Sequence, residues 1–97
     1  MTALELLQDT RRIMIECDLS LVNALRGAWE EDWKQGHFSV EPVLAACVAL
    51  WAYCDPFDTD TTDTRLYGRL VRWQVTASRA TQLDAVDFAI DFLGGRP

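Results

Sequence analysis

The sequence predicts an all-α fold, a compact bundle of about five short helices around a buried central third helix, on three observations. Apolar residues recur at three- and four-residue spacing in successive windows. Each window is bounded by residues that start or stop helices. Neither a pair of strand-like runs joined by a tight turn nor an alternation of strand and helix patterns is present. Ninety-seven residues, 49% of them hydrophobic and 25% charged, suit one folded domain spanning 1–97 rather than a disordered chain.

The first helix starts at Thr2-Ala3-Leu4-Glu5, which has the form of a capping box. Ala3, Leu6, Leu7, Thr10, Ile13, Met14 and Cys17 follow on one side, and Glu5, Gln8, Asp9, Arg12 and Glu16 on the other. Asp18 and Ser20 are both candidate N-caps for a second helix over residues 20–35, with Val22, Leu25, Trp29 and Trp33 on its apolar side and Gly36 as a left-handed stop. Ser39 is the expected cap of a third helix, whose Pro42 is tolerated in a first turn. The run Val43 to Cys54 is apolar throughout, which predicts the most buried element. It falls short of the roughly 20 residues that a membrane-spanning helix needs.

The fourth segment, Asp63 to Ser78, carries two patterns. Val71, Trp73, Val75 and Ala77 alternate as in a strand, while Leu66, Leu70, Trp73 and Ala77 fit a helix. A lone strand would leave its backbone groups without a ladder, so a helix is predicted. Thr81-x-x-Asp84 then reads as the cap of a fifth helix closed by Gly94-Gly95.

The net charge of −6 argues against direct nucleic-acid binding and against attachment to anionic membranes, both of which draw on a dominant basic field. No basic region followed by an apolar stretch and a cleavage pattern opens the chain, so a cytoplasmic protein is expected. Three cysteines, an odd number, read as core thiols rather than a disulfide framework.

Four features carry candidate function. The hinge CDPFDTDTTDTR, residues 54–65, is dense in oxygen ligands, and Asp58, Asp60 and Asp63 are weak metal candidates. Asp58, Asp60 and Thr62 match the first, third and fifth positions of a calcium loop. Asp63 stands where that loop needs glycine and Arg69 where it needs glutamate, so a capping hinge is the simpler account. Arg65, Arg69, Arg72 and Arg79 lie within about 80° on one continuous helix, a docking face for an acidic partner or a face paired with Asp84, Asp87 and Asp91.

On the fifth helix Leu83, Val86, Ile90 and Leu93 form one face, which leaves Phe88 and Phe92 as surplus apolar surface on consecutive turns. Trp29 and Trp33, one turn apart around acidic residues, read as a core pair or an aromatic anchor. The single histidine, His37, lies in a connection with no nucleophile placed beside it. No phosphate loop or metal-ligand spacing occurs, so neither catalysis nor a cofactor is expected.

These readings favour a small protein–protein interaction module, an adaptor, inhibitor or regulatory partner, binding through Phe88, Phe92, Arg65, Arg69, Arg72, Trp29 and Trp33. Its partner is another protein, with a homodimer as one form of that reading. The alternatives are a cation- or ligand-binding module built on residues 55–63 and an acidic inhibitor that mimics nucleic acid.

Overall fold

Five helices follow one another in the computed structural model, which describes residues 1–36, 39–57 and 65–94: α1 (Ala3–Cys17), α2 (Leu21–Lys34), α3 (Glu41–Cys54), α4 (Leu66–Thr76) and α5 (Arg79–Gly94). No strand occurs among the described residues, and the segment with two patterns is helical, with Leu66 and Leu70 as its buried positions. No described helix is long and apolar enough to cross a membrane.

The predicted capping box opens α1: the Glu5 N–H donates to Thr2 Oγ1 and the Thr2 N–H to Glu5 Oε1, both at 3.1 Å. Leu6, Leu7, Thr10 and Met14 are buried, and Thr10 satisfies its hydroxyl by donating to the Leu6 carbonyl at 2.8 Å. Cys17, expected in the core, is exposed, because the helix ends there and the chain turns away. Asp18 does not start α2. It closes α1 in the left-handed region at φ 56°, a conformation that Asp tolerates better than most residues.

Ser20 occupies the N-cap position of α2, yet its side chain makes no capping bond. Two glutamines from distant sequence do that work. The Leu21 N–H donates to Gln82 Oε1 at 2.9 Å and the Val22 N–H to Gln74 Oε1 at 2.8 Å. Gln82 is buried, and its Nε2 also donates to the carbonyls of Gln74 (3.2 Å) and Ala77 (3.1 Å), which satisfies the end of α4. One side chain thus joins the start of α2 to the break between α4 and α5.

That break corrects two expectations. Ala77 is extended, so α4 stops at Thr76, and α5 begins before Thr81. Ser78, rather than Thr81, receives the first-turn amide, with the Thr81 N–H donating to Ser78 Oγ at 3.1 Å. Arg79 therefore belongs to α5, and the predicted stripe of four arginines on one helix does not form. Its guanidinium donates to the carbonyls of Met14 and Leu19 and pairs with Asp18 at 3.2 Å, tying the α1–α2 corner to α5.

At the start of α3 the cap position is Val40. Ser39 lies one residue further out and accepts from the Glu41 N–H at 3.3 Å. α3 buries Val43, Ala46, Cys47, Ala49 and Leu50, while Leu44 is 40% exposed, so its apolar run is buried on one side rather than all round. It packs against α1, α4 and α5, and α1 packs against α2 and α5. Fully buried alanines, Ala46 and Ala49 on α3 with Ala85 and Ala89 on α5, let helices come close. They also rotate the buried face of α5 toward Gln82, Ala85, Val86 and Ala89, leaving the expected Leu83, Ile90 and Leu93 half-buried at its side.

Candidate functional site

The rotation of α5 decides where its phenylalanines go. With Ala85 and Ala89 against the core, Phe88 and Phe92 sit at the edge of the helix, 40% and 56% exposed, stacked with ring centroids 6.2 Å apart. Phe88 also meets Tyr53 of α3 at 5.6 Å, and Tyr53 meets Trp73 of α4 edge-on at 6.4 Å and 88°. These contacts make a continuous row of rings from α4 across the C-terminal end of α3 to α5. Offset and edge-to-face pairs at such distances contribute about 0.5–1.5 kcal/mol each beyond simple burial.

At the α4 end of the row, Trp51, Arg69, Arg72 and Trp73 line an open cavity of about 370 Å³. The Arg69 guanidinium lies over the Trp51 ring, 5.9 Å from its centroid, a cation–π contact that holds a cation beside an aromatic wall. Arg72 is exposed on the same rim. The site is therefore aromatic in the middle, basic at one end and apolar at the other. Its guanidinium donors suit carboxylates or other planar anions.

Sequence reasoning placed Phe88, Phe92, Arg69 and Arg72 among the binding candidates, and the structure brings all four to this row or its rim. Arg65 is at the cap position of α4, exposed, one turn before Arg69. Trp29 and Trp33 stand on α2 instead, in edge-to-face contact at 4.8 Å. Trp29 lines a second cavity, about 360 Å³ and mainly apolar, with Val43, Leu44, Cys47 and Tyr67 among its walls. The Trp29 Nε1–H is buried and has no hydrogen-bond partner among the described residues. Trp51, Tyr53 and Trp73 were missed as site residues, since their spacing within apolar helices reads as core. Their half-exposed state follows from helix ends, which periodicity does not encode.

The expected pairing of the arginine stripe with Asp84, Asp87 and Asp91 takes another form. Asp87 pairs with Arg11 of α1 at 2.7 Å, because α5 lies against α1 and α3 rather than alongside α4. Asp55 ends α3 and accepts from the Phe57 N–H at 3.2 Å, as a hinge aspartate does. The metal candidates Asp58, Asp60 and Asp63 and the histidine His37 lie outside the described residues. Among the described residues no three His, Cys, Asp or Glu side chains are grouped to hold a metal ion.

All three cysteines are free thiols. Burial pushes Cys47 up to about 12, and burial together with the neighbouring Asp55 carboxylate pushes Cys54 up to about 12 as well. Both thiols stay protonated at neutral pH and are poor nucleophiles.

Comparison with protein-family models, with curated proteins and with solved structures finds no match to this chain.

Proposed function

We propose that the chain is a small cytoplasmic protein–protein interaction module, an adaptor, inhibitor or regulatory partner that presents the ring row and its arginine rim to another protein. The observation that carries this reading is the pair Phe88 and Phe92, which remain 40% and 56% exposed although they continue a row of packed rings. Uncovered phenylalanine, with tryptophan and arginine at the other end of the row, is the composition enriched in interface cores. Activity lies in occupying a partner's surface rather than in turning over a substrate. Unbridged thiols accord with a reducing compartment.

The test is affinity capture from the native host, followed by calorimetry with the purified partner. Phe92→Asp is expected to weaken that complex by about 100-fold, the scale of a hot-spot loss. Val75→Asp, at a residue 78% exposed on α4 and outside the ring row, is the control that leaves it unchanged. Equal affinity of Phe92→Asp and the wild type for that partner removes the proposal.

A further inference from the structure

We infer that the cavity between α2, α3 and α4 is a binding site for a small uncharged molecule built of aromatic or aliphatic carbon. It is a second site, beyond the ring row, with which it shares no lining residue.

The cavity follows from how the helices meet. α4 packs against both α2 and α3, whereas α2 and α3 make little contact with one another, so a cleft opens where they diverge. Trp29 forms one wall from α2, Val43, Leu44 and Cys47 another from α3, and Leu66 and Tyr67 a third from α4. A recess enclosed from three helices, about 360 Å³ in volume, lies in the range of small-molecule pockets, and a flat partner surface does not fill it. An apolar cavity of about 150 Å³ holds a benzene, so a fused bicyclic aromatic has room here.

The chemistry of the walls sets the class of ligand. They carry a thiol and a phenol but no charged residue, in contrast to the two arginines beside the ring row. The Trp29 Nε1–H is closed off from solvent, so the indole turns carbon surface rather than its donor to the cavity. Val40 and Leu44 in the lining are 50% and 40% exposed, which leaves apolar wall in contact with water that an apolar ligand releases. An ion entering the same space gives up hydration and finds no counter-charge.

Calorimetric and NMR titration of the full chain with naphthol up to about 1 mM, a range that reaches weak single-site binding, tests the inference. The wild type is expected to bind it saturably, with intermolecular NOEs to the methyls of Val43 and Leu44. Naphthalene sulfonate, the same ring with a fixed charge, is expected to bind at least about tenfold more weakly. Two variants place a carboxylate in the lining from exposed positions, which spares the core: Leu44→Asp, and Val40→Asp at the N-cap position of α3, where Asp is a preferred residue. Each is expected to weaken naphthol binding at least about tenfold, while Phe92→Asp on the ring row leaves it unchanged. Absence of saturable binding, lining variants that bind as the wild type does, NOEs to ring-row side chains only, or a sulfonate that binds as tightly as naphthol each overturn the inference. If naphthol does not bind and Leu44→Asp instead weakens the complex with a purified protein partner, the cavity receives a partner's side chain and the inference also fails. The ring-row reading stands or falls separately, on Phe92→Asp and its protein partner.

Discussion

Gln82→Leu is expected to destabilise the protein far more than its place on an amphipathic helix suggests. The side chain accepts from the buried Leu21 N–H at 2.9 Å and donates to two carbonyls, at 3.2 Å and 3.1 Å. Leucine keeps most of the volume and removes all three bonds. Each of the three bonds contributes about 1 kcal/mol net, so the loss is about 3 kcal/mol. In a domain of this size that lowers Tm by roughly 12–24 °C. Urea unfolding followed by far-UV circular dichroism measures it, with the slope of the transition unchanged if the denatured state is unaffected. Ser20→Ala is the contrasting variant. Loss of a capping serine normally costs about 1 kcal/mol, but Ser20 makes no side-chain capping bond, so a change within about 0.5 kcal/mol is expected. A Gln82→Leu protein as stable as the wild type, or a Ser20→Ala protein that loses as much as Gln82→Leu, refutes the reasoning.

Arg79→Ala removes the bonds to the Met14 and Leu19 carbonyls and is expected to cost about 1–2 kcal/mol by the same unfolding assay. Asp18→Asn, which keeps a residue tolerant of the left-handed conformation and loses only an exposed ion pair, is expected to stay within about 0.5 kcal/mol. Mass spectrometry of the folded protein after brief alkylation at neutral pH should find Cys17 modified ahead of Cys47 and Cys54, since the latter two thiols are held protonated by burial. The protonated thiol is favoured in the folded state, so the stability contributed by Cys47 is complete below its ordinary value of 9.0 and is lost as pH rises toward about 12. Equilibrium unfolding across that range should show the decline, and replacing Cys47 by Ala should reduce it, with the remainder due to Cys54. Phe92→Asp should change Tm by no more than about 4 °C, because a residue 56% exposed contributes little to the core.

Much of the architecture was legible because helix formation is signalled locally. The Thr2–Glu5 box, the apolar spacing of Leu6, Leu7, Thr10 and Met14, and the left-handed Gly36 at φ 91° each act within a few residues of themselves. Phe88 and Phe92 were legible as surplus for the same reason, since one helix cannot turn two apolar rows into a single core. At α2 the start lies at Ser20 but its first amides are satisfied from a distance by Gln74 and Gln82, and at α5 the start moved to Ser78, which takes the Thr81 amide. Asp18, Ser20 and Thr81 are all plausible starts by residue type, and the choice among them fell to Gln74, Ser78, Arg79 and Gln82.

The sequence by itself determined an all-helical chain, the order of its helices, and the presence of aromatic and arginine residues beyond the needs of one core. Only the tertiary structure decided which of these share a surface. Buried alanines set the rotation of α5 and so the exposure of its phenylalanines. The break at Ala77 sent Arg79 to the α1–α2 corner, leaving Arg69 and Arg72 beside Trp51. The physical reason is that periodicity fixes angles around one helix axis, whereas a site depends on the angles between several, which long-range packing and capping settle together.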